Sequence, residues 1–213
     1  MRTISFLDKL ISEVDSALRT LVLPKKRFTA RKSPAERIED QPLSSQEKKH
    51  ISGLMRVNHA GEVCAQALYQ GQALTAQLTH VKKQMTQAAA EEIDHLAWCE
   101  ERLYELGSKP SLLNPIWYSG SILLGALAGL AGDKISLGFV AETEKQVTAH
   151  LQRHLLYLPT HDKKTIAILK EMQEDEEQHA NAAIEAGAVE LPYIIKQLMN
   201  AVSKLMTNTS YYI

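Results

Sequence analysis

Two short stretches, Glu91-Glu-Ile-Asp-His95 and Asp175-Glu-Glu-Gln-His179, share the form acid-Glu-x-x-His. In a helix, positions i and i+3 lie on one face, so Glu92 with His95, and Glu176 with His179, can each grip one ion. A single Glu-x-x-His arises by chance in charged helices. Here each follows an isolated glutamate: Glu62 stands thirty residues before Glu92, and Glu142 or Glu144 some thirty-odd before Glu176. A chain that reads helix with Glu, then helix with Glu-x-x-His, twice over, is constrained to bring four helices around one centre.

Four carboxylates and two imidazoles suit paired ions of intermediate hardness such as iron or manganese, and this is the ligand pattern of ferritin-like di-metal bundles. Zinc's closed sites favour tetrahedral Cys/His sets instead. Helical phase chooses between the two later glutamates. Leu137, Val140, Val147 and Leu151 share the face of Glu144, whereas Glu142 shares its face with Gly138, Lys145 and Gln146. A ligand must point into the core, so Glu144 is the expected one. The expected ligands are Glu62, Glu92, His95, Glu144, Glu176 and His179. Glu91 and Asp175, preceding the motifs, are candidates to accept from the outer ring N–H of a ligand histidine, each reaching the opposite motif. Glu174 and Glu177 read as a solvated acidic face. His59, His150 and His154 read as ordinary polar or core histidines, with a place near the substrate as the second reading of His150. Tyr69, two turns beyond Glu62, and Cys99, one turn beyond His95, are candidates to line the metal cavity, with plain packing as the alternative.

The rest of the chain reads as all-α, with no convincing strand alternation. The spacing predicts an amphipathic helix over 4–22, carried by Leu7, Leu10, Ile11, Val14, Leu18, Leu21 and Val22. A linker follows with Pro24, Pro34 and Pro42 and a basic group of Lys25, Lys26, Arg27, Arg31 and Lys32. Ser44 and Glu47 form a capping box that opens a helix to about residue 78. Further helices are expected over 81–106, 134–157, 162–186 and 191–206, with Gly107 and Gly187 as stops. The organisation expected is 1–43 as amphipathic segment and linker, then 44–213 as a ferritin-like four-helix domain.

Residues 111–132 form an insertion in that domain. They carry no charge over 22 positions, and Trp117 and Tyr118 lie near their start. The length suffices for a bilayer crossing. A single crossing would separate the two halves of the metal site, so an interfacial or re-entrant surface is the expectation, with extra apolar helices facing a membrane and a plain buried core helix as the alternative. The basic linker group could add attraction to anionic lipid, although solvated linker is the more usual use of a short basic run.

The chain's 45% hydrophobic and 23% charged residues are ordinary for a globular protein. Two cysteines, Cys64 and Cys99, make no disulfide framework and fit a reducing compartment. Asp8, Lys9 and Glu13 interrupt any apolar run of a secretory signal, so a cytoplasmic location is expected. A net charge of −1 argues against a nucleic-acid partner, and with it against a tRNA hydroxylase. Two scattered cysteines cannot build the added iron site of a rubrerythrin. An iron-storage protein would need a polar helical exterior, against which the 111–132 stretch argues.

From about residue 48 to the end, the chain resembles the demethoxyubiquinol hydroxylase family of ubiquinone biosynthesis. The likeness rests on Arg56-Val-Asn-His-Ala-Gly-Glu62, Glu91-Glu-Ile-Asp-His95, Asp133-Lys-Ile-Ser-Leu-Gly-Phe-Val-Ala-Glu-Thr-Glu144, Asp175-Glu-Glu-Gln-His179 and Ala186-Gly-Ala-Val-Glu-Leu-Pro192. The family's ligands fall on the six residues above, including Glu144. One departure is Lys145, where some relatives carry a second acid. The resemblance implies a monooxygenase that holds two irons per chain, uses O2 and an external reductant, and hydroxylates the ring of a polyprenylated demethoxyubiquinol. It further implies a peripheral protein on the cytoplasmic face of the cell membrane, a homo-oligomer, and contact with other ubiquinone-biosynthesis proteins. No Gly-x-Gly-x-x-Gly fingerprint marks a dinucleotide domain.

Overall fold

The structure, a computed structural model, describes residues 6–22, 24 and 27–213. Residues 4 and 5 of the first expected helix, the side chain of Leu10, and Lys25 and Lys26 of the basic group lie outside these. All the described elements are helical: α1 Phe6–Leu21, α2 Ser45–Thr75, α3 Thr79–Glu105, α4 Asn114–Leu130, α5 Asp133–Tyr157, α6 Lys163–Glu185 and α7 Tyr193–Ser210.

The expected capping box opens α2. The Ser44 hydroxyl accepts from Glu47 N–H, and the Glu47 carboxylate accepts from Ser44 N–H at 2.8 Å. Gly107 and Gly187 follow α3 and α6 with φ of 71° and 102°, a left-handed conformation that costs glycine little.

Helices α2 and α3 pack as one antiparallel pair and α5 and α6 as another. Contacts between α3 and α6 and between α2 and α5 close the four into a bundle. The uncharged insertion supplies the crossover between the pairs. Asn114 meets His59 near its start, and Thr75 donates to Ala126 O near its end, so α4 runs parallel to α2. Chain direction is thereby reset, and α5 starts beside the α2–α3 turn, where Asp133 accepts from the Gln77 and Leu78 amides. The α2–α4 packing is close because both helices carry glycine at the crossing. A Cβ on Gly71 would lie 2.2 Å from Ile122 O, and one on Gly125 2.2 Å from Leu68 O.

At about 1.5 Å rise per residue, the 17 residues of α4 reach about 26 Å, short of the ~30 Å bilayer core. Among the described residues no helix is long and apolar enough to cross a membrane. Apolar side chains nevertheless stand exposed along α4 (Leu123, Leu124, Leu127, Leu130), α7 (Ile194, Leu198, Val202, Leu205) and α1 (Leu7, Ile11, Val14, Leu18).

The segment before α2 is not a solvated linker. Arg27 makes a two-pronged ion pair with buried Glu100, and Arg31 pairs with Asp94 and Asp175. Lys32 pairs with Glu36. These basic side chains are held by acids of α3, α6 and the segment itself. Local reading leaves Arg27 and Arg31 solvated because the acids these two meet lie more than sixty residues away in sequence.

Candidate metal centre

Each of the four bundle helices delivers its acidic side chain to one buried point. Glu62 comes from α2, Glu92 and His95 from α3, Glu144 from α5, and Glu176 and His179 from α6. The four carboxylates and His95 are at most 2% exposed. Glu62, Glu92, His95 and Glu176 offer four ligand atoms that all lie within 4.8 Å of one another.

The geometry has approximate two-fold character. His95 Nδ1 is 2.9 Å from Glu92 Oε2 and 3.2 Å from Glu176 Oε1. His179 Nδ1 is 3.2 Å from Glu92 Oε1 and 3.2 Å from Glu176 Oε2. Glu92 and Glu176 thus each present one oxygen to either histidine. Glu62 lies on the His95 side, 3.5 Å from its Nδ1. Glu144 is held from outside by the Tyr69 hydroxyl, which donates to its Oε1 at 2.5 Å. Glu142 faces away from this centre and pairs with Gln146 and Lys196.

The outer nitrogens of both histidines point to carboxylates of the opposite motif. His95 Nε2 donates to Asp175 and His179 Nε2 to Glu91, each at 2.8 Å. A proton held at Nε2 leaves Nδ1 as the atom facing the carboxylate cluster.

Such a cluster is electrostatically unbalanced by itself. Burial pushes the Glu62 and Glu144 carboxyls well above the ordinary range, and the neighbouring carboxylates add to this. Burial opposes charge on His179 as well, but hydrogen bonds to Glu176 and Glu92 push it up to about 12. Buried Glu62 Oε2 and Glu92 Oε1 face only a histidine Nδ1, at 3.5 and 3.2 Å, the same nitrogens that would turn to a metal. Cations would neutralise the cluster and engage those oxygens, so the residues fit a bound metal.

The candidate cavity residues separate. Cys99 is fully buried in the lower core, beside Met172. Tyr69 contacts the centre through Glu144. His150 lines an apolar cavity of about 920 Å³ that lies between α4 and α7 over α2 and α5. Glu62 also belongs to the cavity wall, so the cavity reaches the metal centre. Much of its wall was missed by sequence reasoning, notably Leu198, Met199, Val202 and Met206 of α7 and Phe139 and Thr143 of α5. The apolar periodicity of 191–206 was visible, but nothing local says which helix it faces. Arg31 and Asp94, which buttress the His95 side, carried no signal beyond charge.

The sequence profile of the family described as ubiquinone biosynthesis protein COQ7 matches residues 49–210. A 3-demethoxyubiquinol 3-hydroxylase of Legionella pneumophila (strain Paris) is 85% identical over 213 residues, covering the whole of both chains. A 3-demethoxyubiquinol 3-hydroxylase of Acinetobacter baylyi is 59% identical over the same full length.

Proposed function

The chain belongs to the family of ubiquinone biosynthesis protein COQ7, and from that premise we infer that it is an O2-dependent hydroxylase. Its substrate is the ring of a polyprenylated demethoxyubiquinol, and its bundle is a ferritin-like di-iron carboxylate site. The carrying observation is the apolar cavity that ends on Glu62, because it offers a lipid-like molecule a dry path to a buried metal centre. An iron-storage role leaves that cavity without a purpose.

Glu62, Glu92, His95, Glu144, Glu176 and His179 would hold the two ions. Two irons, when bound, supply the activation of O2, with electrons from an external reductant. The protein's part is positioning and exclusion of water. Asp175 and Glu91 fix the ligand imidazoles, and the Tyr69 hydroxyl fixes Glu144. Burial pushes the Tyr69 phenol well above its usual range, so it remains a donor. Burial also lowers His150 to about 4, so its ring is neutral at physiological pH. Its Nε2 has no protein partner, which leaves it free to bind a quinol hydroxyl in the cavity.

The substrate's tail calls for a bilayer. Exposed Leu124 and Leu127 of α4 and Leu198 and Val202 of α7 line the cavity, and they support a peripheral seat on a membrane. The reaction is tested with iron-loaded protein, a reductant, 18O2 and a short-chain demethoxyubiquinone followed by mass. One labelled oxygen enters the ring, and His95→Ala abolishes incorporation. O2 consumption without labelling would overturn the reading.

A further inference from the structure

We propose that the arm of residues 27–31, which precedes the stretch matched by the family's sequence profile, is a clasp on one half of the metal centre. Arg31 acts through Asp175 as a positioning residue for His95. The proposal rests on the di-metal reading above.

Arg31 is held by Asp175, Asp94 and Trp98, with Glu171 further off at 3.6 Å. Its guanidinium sets two nitrogens on Asp175, at 2.6 and 3.1 Å, and its Nε donates to Asp94 at 3.2 Å. The same group lies 4.9 Å from the centre of the Trp98 ring, a cation–π distance. The backbone follows, with the Ala30 and Arg31 amides donating to Asp94 at 2.8 and 3.1 Å. One turn of arm lower, Arg27 is anchored on Glu100.

Asp175 Oδ2 therefore accepts from both His95 Nε2 and Arg31. A two-pronged guanidinium–carboxylate pair has fixed planar geometry. It sets the carboxylate rotamer, and the carboxylate sets the imidazole. The opposite half of the site lacks this device. Glu91, which holds His179, takes a further hydrogen bond only from Gln87, and among the described residues no arginine or lysine pairs with it. Exposure follows the same order: the Asp175 side chain is 16% exposed against 43% for Glu91, and His95 is 0% against 12% for His179. A centre that is nearly two-fold in its ligands is thus unequal in its support.

The consequence is two metal positions with different release rates, the slower one beside His95. Full-length protein loaded with two irons is mixed with a ferrous chelator, and the release is followed by absorbance. Wild type gives two phases of about one iron each. Arg31→Ala speeds the slow phase by about 10- to 100-fold, the usual cost of removing an outer partner of a ligand, and leaves the fast phase alone. Arg31→Lys, which keeps charge but loses the fork, falls between. Glu91→Gln speeds the fast phase and not the slow one. Equal acceleration of both phases by Arg31→Ala would show only a loosened bundle and overturn the proposal, as would no acceleration. Failure of the underlying reading looks different: wild type then binds fewer than two irons.

Discussion

His95 Nε2 lies 2.8 Å from Asp175 Oδ2, a carboxylate eighty residues further along the chain. Glu91 and His179 repeat the relationship in the opposite sense at the same distance. Each Glu-x-x-His motif is therefore braced by the acid that opens the other. Neither half of the centre is complete without the facing helix.

Metal content tests the ligand set. Anaerobically purified protein should carry two irons, and Glu62→Ala, Glu144→Ala and His179→Ala should each lose iron while remaining helical by circular dichroism. Glu142→Ala should keep its iron, because that side chain pairs outside the core with Gln146 and Lys196. Iron loss in Glu142→Ala with retention in Glu144→Ala would reverse the assignment.

Iron loading should release protons. Without metal, Glu62 and Glu144 hold theirs because their acidity is suppressed by burial, and His179 holds its own up to about pH 12. Protons compete with the ion, so apparent affinity falls as pH falls, by about tenfold per unit for each proton displaced. Loading in weak buffer with an indicator dye measures this. A pH-independent affinity would contradict the cluster.

Acid should destabilise the fold through His154. Burial lowers its folded pKa to about 3 from an ordinary 6.5, aided by His150 and Arg153. The unfolded chain binds this proton first, so stability is present above about pH 6.5 and falls between there and about pH 3. The loss is on the order of a few kcal/mol. His154→Gln should shift the acid-unfolding midpoint, followed by circular dichroism, to lower pH. An unchanged midpoint would remove His154 from the account.

The α2–α4 crossing should tolerate no side chain. Gly71→Ala and Gly125→Ala each put a methyl 2.2 Å from a carbonyl oxygen of the facing backbone, so about 3 kcal/mol of stability should be lost in thermal unfolding. Gly61 sits on the cavity wall with nothing within 4 Å of its would-be Cβ. Gly61→Ala should therefore unfold no earlier than wild type, and Gly61→Leu should fold yet lose turnover by narrowing the path to Glu62.

Liposome flotation tests the membrane seat. Binding should persist at high salt, since apolar burial is not screened, and should drop when Leu123, Leu124 and Leu127 become Ser. All three are exposed on α4. Wild-type protein that stays wholly in the aqueous fraction would refute this surface.

The helices that carry the six proposed ligands, and the order of those helices, were legible in the amino acids alone. Helical spacing is local: three residues separate Glu92 from His95 whatever the rest of the chain does, and the apolar neighbours of Glu144 mark its face. The capping box at Ser44 and the glycine stops at 107 and 187 are equally local. What only the tertiary structure decided is how distant faces meet. Periodicity showed that 111–132 and 191–206 were apolar, but not that α4 would run parallel to α2 as the crossover, nor that α7 would close a cavity above Glu62. It showed a basic run before α2, but not that Arg27 and Arg31 would find Glu100, Asp94 and Asp175. Those pairings depend on how helices far apart in sequence are brought side by side, and no repeat of 3.6 residues records which helix will stand opposite.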